Sequence, residues 1–319
     1  MRAFVTGGAG FIGSNLTDRL LAAGHEVIVY DNFSTGREDF LAAARAHGGL
    51  KVIAADVLDS AHLTNAMRGC DFVFHFAANA DVRFGTLDPR RDLEQNTIAT
   101  FNVLEAMRWT GIRKIAFAST GSVYGEATII PTPEDAPFPV QTSFYAASKL
   151  AGESLIQAYS EGFGFQSFIF RFVSILGERY THGHVFDFCR SLKRDPSQLN
   201  VLGDGHQRKS YLYIHDCIDA VLLAIDRSEA RLSIFNLGTD EYCEVNQSIA
   251  WITAALGVTP RLVYSGGTRG WVGDNPFIYL DTRRIRSLGW RPNLSIREAV
   301  IRTVEFLRSN EGLLDRARP

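Results

Sequence analysis

The opening stretch, MRAFVTGGAGFIGS, constrains the fold of this chain more than any other segment. Residues 2–6 suit a buried strand, Gly7, Gly10 and Gly13 follow in a GxxGxxG spacing, and an apolar helix pattern continues through Leu16, Leu20 and Leu21. Strand, glycine turn and helix in that order have a physical reason. The backbone must turn sharply, approach a pyrophosphate with no Cβ in the way and pack close to a sheet, while helix amides face the negative charge. The start of this helix is therefore a candidate dinucleotide site. A second strand over 26–30 leads into Asp31, whose carboxylate suits an adenosine ribose diol and repels a 2′-phosphate. That favours NAD over NADP, with an ordinary loop carboxylate as the alternative reading and Arg37 as an opposing charge nearby.

Further strands at 51–55, 72–76, 113–118 and 166–172 alternate with helices at 60–67, 91–110 and 144–159. The alternation predicts an α/β doubly wound parallel sheet. Pro131, Pro133, Pro137 and Pro139 make 125–142 a loop. After Gly177 the alternation weakens into helices at 184–192, 215–225, 245–256 and 296–307 and short strands at 199–202, 232–237 and 261–264. The expected organisation is a nucleotide-binding domain over 1–177, to which 215–237 can return, and a smaller mixed lobe over 178–319. Residues 311–319 are expected to fray.

Composition narrows the partners. Lys+Arg 33 against Asp+Glu 35 leaves a formal charge of -2, so no global basic surface advertises nucleic acid or an anionic membrane. Cys70, Cys189, Cys217 and Cys243 are scattered, form no CxxC pair and read as reduced, buried residues with no metal site. No apolar run approaches the ~18 residues of a membrane span, and a cytoplasmic location is expected.

The most informative short segment is Tyr145-Ala146-Ala147-Ser148-Lys149. Four residues apart on a helix, the phenol and the amine project in nearly the same direction. An ammonium there is expected to lower the phenol's proton affinity, so that Tyr145 exchanges a proton with a hydroxyl while Lys149 holds a nicotinamide ribose. Thr120 follows a strand, where the crest of a parallel sheet meets ligands, and its hydroxyl can bond the same substrate oxygen. His75, Asp81, Arg83, Phe84 and Phe186 are left without a chemical role, His75 reading as a strand histidine and Asp81 with Arg83 as either a ligand pair or an internal ion pair.

With these motifs in place the chain resembles the extended short-chain dehydrogenase/reductase superfamily, specifically its nucleotide-sugar epimerases and dehydratases, over essentially its whole length. The match is carried by Gly7 to Gly13, Asp31-Asn32, Asp56-Val57, Phe76-Ala77-Ala78, Asn96, 119–125, Tyr145 to Lys149 and Gly203-Asp204-Gly205. The resemblance implies a Rossmann-type sheet with a smaller substrate lobe. It implies that Thr120, Tyr145 and Lys149 are catalytic and that Phe11 and Ile12 line the dinucleotide groove. Asp31 would hold the adenosine ribose, Asp56 and Val57 would meet adenine, and a nucleotide diphosphate-sugar would be the substrate. It also implies a homodimer built on helices 91–110 and 144–160, for which Leu93, Phe101, Leu104, Leu150, Leu155 and Ile156 offer nonpolar surface.

A departure from the family pattern bears on the reaction. In the 4,6-dehydratases that the chain resembles, Asp and Glu follow the catalytic Thr, whereas here Gly121 and Ser122 do. Neither carries the proton for an elimination. The expectation is an NAD-dependent epimerisation at C4 of a nucleotide sugar, with a UDP-hexose as the leading substrate. The alternatives are a C2 or C3 epimerase, a dehydratase with displaced acid and base, a reductase that exchanges external cofactor, and a non-enzymatic protein that binds NAD and a nucleotide sugar. On the substrate side the resemblance points to Ser174, where relatives carry Asn, to Lys209, where they carry Arg, and to Arg269 and Asp274. It also points to Ile278, where a Tyr in relatives narrows the pocket against an N-acetyl group; Ile there predicts room for N-acetylated or uronic acid sugars.

Overall fold

The computed structural model describes residues 1–138 and 140–315. Pro139, residues 316–319 of the expected frayed end and the Phe84 side chain lie outside what is described. The chain divides into two compact units: 1–123, 144–171 and 224–235 form the first, and 124–143, 172–223 and 236–319 the second.

The first unit is built on the strands β1 (Arg2–Thr6), β2 (Glu26–Asp31), β3 (Leu50–Ala54), β4 (Phe72–His75), β5 (Lys114–Thr120) and β6 (Gln166–Phe172). With the later strand Leu232–Leu237 they make a seven-stranded sheet in which that strand, β6, β5, β4, β1, β2 and β3 follow one another. The pairings of β1 with β2 and β4, β2 with β3 and β4 with β5 are parallel. The order reverses beside β1, which runs to β2 on one side while β4 lies on the other. Ligands of such sheets meet the carboxyl ends of the strands at that reversal.

Helices α1 (Phe11–Ala22), α2 (Ser60–Met67), α3 (Pro89–Asp92), α4 (Ala99–Thr110) and α5 (Phe144–Phe163) connect the strands. Apolar strand residues such as Phe4, Val73, Ile115 and Phe117 pack with Val103, Leu104 and Met107 of α4 and with Ile156 of α5 in one core. The helix expected over 91–110 is interrupted: Leu93–Ile98 is a π-helical turn between α3 and α4. This wider turn exposes Leu93 and Ile98 and buries Asn96, so a 3.6-residue pattern misreads the face. Two further expectations are corrected here. Leu104 and Ile156, counted toward an interface with a second copy, are wholly buried inside their own unit.

The second unit continues the numbering with β7 (Ser174–Leu176), β8 (Gln198–Val201), β9 (Arg208–Lys209), β10 (Tyr211–Tyr213), β11 (Leu232–Leu237, whose last two residues belong here), β12 (Cys243–Glu244), β13 (Arg261–Tyr264) and β14 (Phe277–Ile278). They form a β10–β7 pair, a β13–β8 pair and a β12–β9–β14 ladder. Its helices include α6 (His184–Arg194), α7 (Ile214–Arg227, whose last turn belongs to the first unit), α8 (Val245–Leu256), the short α9 (Arg283–Ser287) and α10 (Ile296–Ser309). Reciprocal side-chain caps start α8 at Glu244 and Gln247 and α10 at Ser295 and Glu298. All four cysteines are buried and unpaired, and among the described residues no helix is long and apolar enough to cross a membrane.

Candidate active site

At the end of β1 the chain turns at Gly7, whose φ of +68° is left-handed. A Cβ on Gly7 would lie 2.6 Å from the Ala77 nitrogen, and one on Gly13 would lie 2.1 Å from the Gly7 oxygen. Only glycine lets this loop press against the crest of β4 and start α1 beneath itself. The helix begins after Gly10 with no side-chain cap and no acidic residue in its first turn. The positive end of the helix thus faces the glycine turn, where an anion is favoured.

Asp31 is the last residue of β2 rather than a loop residue. Its carboxylate accepts from the Ala9 N–H at 2.9 Å and from the Phe33 N–H at 2.8 Å. Burial raises its proton affinity, and those two N–H groups oppose the rise. Beside it Asn32 donates to Asp56 at 2.8 Å, Asp56 accepts from the Leu58 N–H at 2.8 Å, and Val57 is buried. Arg37, the charge that weakened the choice of NAD, bonds Asp39 through Nε at 2.8 Å. Across the loop, the Phe76 and Ala77 N–H groups donate to the Thr6 hydroxyl, each at 3.2 Å, and Ala78 follows them. These contacts, which keep the 76–78 turn against the glycines, link motifs that are far apart in sequence.

Tyr145, Lys149 and Glu153 fall at four-residue intervals on α5, on one face. Thr120, at the end of β5, accepts from the Ser122 N–H at 3.1 Å and hydrogen-bonds the Tyr145 phenol. The expectation that Lys149 draws the phenol down is corrected in this chain. Burial pushes Tyr145 up to about 12, the Thr120 bond pulls it partly back, and Asp92 adds to the rise. Burial also brings Lys149 down to about 7, against the pull of Glu153. An amine that is only partly charged near neutrality gives the phenolate little support. Lys149 sits 4.2 Å from the centre of the Phe117 ring, a contact that favours its charged form.

The polar groups around this face form a connected network. Asn96, carried by the π turn, donates to the Ser148 hydroxyl at 2.9 Å and accepts from the Asn79 N–H at 2.9 Å. Ser148 donates to the Tyr145 carbonyl at 2.8 Å, so the turn after β4 is tied to the helix that carries Tyr145. Asp92 accepts from Asn79 at 2.8 Å, and burial raises its carboxyl. His75 lies between the Thr6 and Thr100 hydroxyls at 2.8 and 3.1 Å, and burial lowers it to about 3. It is a neutral core residue, and Asp81 and Arg83 form the internal ion pair at 3.4 Å. A family of hydroxyls and amides contacting one another in this way has no fixed spacing, which is why the contacts of Asn96 and His75 were not legible even though the residues themselves were named.

Within the second unit, Lys209 and Asp274 come together at 2.7 Å, and Lys209 also donates to the Asn275 carbonyl. Burial lowers Lys209 while Asp274 opposes the shift. The second Asp274 oxygen accepts from the Gly270 N–H at 3.0 Å. Arg269 pairs with Glu126 and is half-exposed, and Ser174 is exposed on β7. Ile278 stands opposite Lys209 in the parallel β14–β9 pairing, and Phe277 stands opposite Arg208. Paired residues of neighbouring strands share a face. Phe277 stacks on Tyr279 on the Arg208 side, 6.1 Å between ring centres, so Ile278 belongs to the face of Lys209. Phe186 is buried in α6. Among the described residues no group of three His, Cys, Asp or Glu side chains is placed to hold a metal ion.

Comparison with known proteins finds one family with relatives of more than one activity, 4-epimerases alongside a UDP-glucuronic acid decarboxylase and a dTDP-glucose 4,6-dehydratase. Residues 3–238 match the NAD dependent epimerase/dehydratase family. The UDP-glucose 4-epimerase of Mycolicibacterium smegmatis is 33% identical over 317 residues, covering 97% of this chain and 99% of its own. A crystal structure of a UDP-galactose 4-epimerase superposes with a TM-score of 0.88 at 38% identity, covering 97% of this chain and 99% of that one. The Thermus thermophilus UDP-glucose 4-epimerase, solved in complex with NAD, superposes with a TM-score of 0.85 at 33% identity over 97% and 99% of the two chains.

Proposed function

The chain belongs to the NAD dependent epimerase/dehydratase family, and from that premise we propose that it interconverts a UDP-hexose with its C4 epimer through a transient 4-keto sugar. It is an NAD-dependent enzyme of nucleotide-sugar metabolism. The observation that carries the choice of reaction is the set Thr120, Tyr145 and Lys149 followed by Gly121 and Ser122, which can move a proton at one oxygen and has no acid or base for an elimination. The uncapped start of α1 and the buried Asp31 fit a dinucleotide with a free ribose diol.

NAD, when bound, supplies the hydride acceptor for C4 and the source from which the hydride returns. Tyr145 takes the proton of the C4 hydroxyl and gives it back after the sugar has turned. Thr120 donates to the same oxygen and steadies its negative charge. Lys149 holds the nicotinamide ribose and, when charged, favours the Tyr145 phenolate. We assign the glycine loop, with Phe11, Ile12 and Gly13, to the pyrophosphate, Asp31 and Asn32 to the adenosine ribose, and Asp56 and Val57 to adenine. Phe76, Ala77, Ala78 and Asn96 back the nicotinamide half. Lys209, Asp274, Arg269 and Ser174 serve the nucleotide-sugar, and Ile278, on the face of Lys209, leaves room for a C2 N-acetyl group or, with Lys209, a uronic carboxylate.

The protein is further proposed to be a cytoplasmic homodimer. Leu93 is 52%, Phe101 43% and Trp109 68% exposed, three large apolar side chains on one connected helical segment of the first unit. Such a patch marks an association surface. The purified protein incubated with UDP-glucose, UDP-galactose, their N-acetylated and uronic acid counterparts and GDP-, CDP- and dTDP-hexoses tests the reading. Proton NMR should show interconversion of C4 epimers of a UDP-sugar without stoichiometric consumption of NAD. A 4-keto-6-deoxy product, or no turnover of any sugar, overturns it.

A further inference from the structure

Directly behind the catalytic helix, among the described residues of the first unit, lies a buried ion pair that none of the proposed steps uses. Glu153 and Arg171 are both buried, and Arg171 is the largest fully buried side chain described. From β6, Arg171 grips the carboxylate with Nη2 at 2.7 Å and Nε at 3.0 and 3.2 Å. From β5, the Ser119 hydroxyl donates to the same carboxylate. Glu153 thus joins the ends of two adjacent strands to α5, and the residue after Ser119 is Thr120. One turn back along the same face of α5 is Lys149.

We propose that Glu153, clamped by Arg171 and Ser119, is a positioning residue whose carboxylate keeps the Lys149 amine protonated and holds the strand end that carries Thr120. The inference rests on the reading of Tyr145 and Lys149 as the proton-transfer pair. Its physical basis is the division of the carboxylate's charge. A free Glu153 would pair with Lys149 outright and fix the ammonium; with both oxygens bound by Arg171, it acts on Lys149 through its field alone. Glu153 is the group that opposes the downward pull of burial on Lys149. The other titratable groups facing this pair are Tyr145 on α5, His75 on β4, which is neutral and buried, and Asp92 of α3, which faces Tyr145. Phe117, Ser119 and Thr120 of β5 carry no charge. Glu153 and Arg171 can both be changed without touching the proton path at the C4 oxygen.

The two halves of the pair should therefore act on Lys149 in opposite directions. Protein labelled with carbon-13 at the lysine ε position, NAD-loaded, is titrated by NMR, with the Lys149 signal assigned by its loss in Lys149→Met. Glu153→Gln leaves the Arg171 cation unbalanced and should lower the Lys149 midpoint by about one pH unit, whereas Arg171→Met frees the carboxylate and should raise it by about as much. The alkaline limb of the turnover profile should move the same way in each variant. If a single variant does not fold, Arg171→Lys, which keeps the cation and should leave the midpoint in place, and the doubly neutral Glu153→Gln/Arg171→Met, whose midpoint should fall below that of Arg171→Lys, carry the comparison. Midpoints that coincide across the folded variants, Glu153→Gln and Arg171→Met midpoints that move in one common direction, or a doubly neutral variant whose midpoint is not below that of Arg171→Lys, overturn the proposal. The underlying reading fails in a different way: Tyr145→Phe and Lys149→Met would both keep full turnover.

Discussion

Adding one methyl group at Gly13 should disable cofactor binding. The Cβ of an alanine there would lie 2.1 Å from the Gly7 oxygen and 2.9 Å from both the Gly7 carbonyl carbon and the Gly8 Cα, all backbone atoms. Relief to ordinary contact at 3.4 Å needs a displacement of at least about 1.3 Å, and overpacking of this kind costs about 1–3 kcal/mol. The loop cannot retreat, because Gly7 abuts the Ala77 backbone and Gly8 abuts the Val29 side chain. The start of α1 must move instead, and with it the amides aimed at the pyrophosphate. Losing one charge-assisted hydrogen bond costs about 1.5–3 kcal/mol, which corresponds to roughly a 10- to 100-fold loss of NAD affinity. Isothermal titration of NAD into wild type and Gly13→Ala measures this. Gly48→Ala is the control, since a Cβ there meets nothing within 4 Å and its φ is not left-handed. Unchanged NAD affinity and an unchanged thermal midpoint in Gly13→Ala would refute the reasoning.

Tyr145→Phe should lower turnover by about 10²-fold or more, the scale of a lost general base, while UDP-sugar affinity by titration calorimetry stays within a few-fold; undiminished turnover would remove Tyr145 from the proton path. Lys149→Met should be more stable than wild type at low pH, with the gap closing as pH rises. Burial depresses Lys149 from 10.5 to about 7, so below about pH 7 the folded chain carries the full penalty of a buried charge, and between there and 10.5 it sheds a proton that the unfolded chain retains. Urea midpoints at about pH 6 and about pH 9 measure the gap, and one that widens with pH contradicts the assignment. Ile278→Tyr should selectively lower turnover of a C2 N-acetylated substrate relative to the simple hexose; an unchanged ratio in a competition assay would show that Ile278 is only packing.

What could be read from the amino-acid order follows a physical line. Motifs held on consecutive backbone were legible: the glycine turn between β1 and α1, Asp31 at the end of β2, and Tyr145 with Lys149 at one helical interval. Helix α2 over 60–67, strand β6 over 166–172 and helix α8 over 245–256 were expected with the bounds that the structure has. Groups that meet only through tertiary register were not legible, and Arg171 with Glu153, His75 between Thr6 and Thr100, and Asn96 with Ser148 are of that kind. The strands β7, β9, β10, β12 and β14 are two or three residues long, too short to show a period. The π turn at Leu93–Ile98 breaks the helical period from within. The Tyr145 phenol departs from the expectation because a pairwise argument about the nearest cation leaves out burial, which raises the phenol and lowers the amine.

The path of the C4 hydrogen tests the central claim most directly. UDP-galactose carrying deuterium at C4 is converted by the purified protein in ordinary water, and the C4 position of product and residual substrate is read by mass spectrometry and NMR. A hydride that leaves to bound cofactor and returns to the opposite face of the same sugar keeps the label, so UDP-glucose should form with C4 deuterium retained. Replacement of the label by solvent hydrogen would contradict the account, because it would mean that the carbon exchanges a proton with water rather than a hydride within the site.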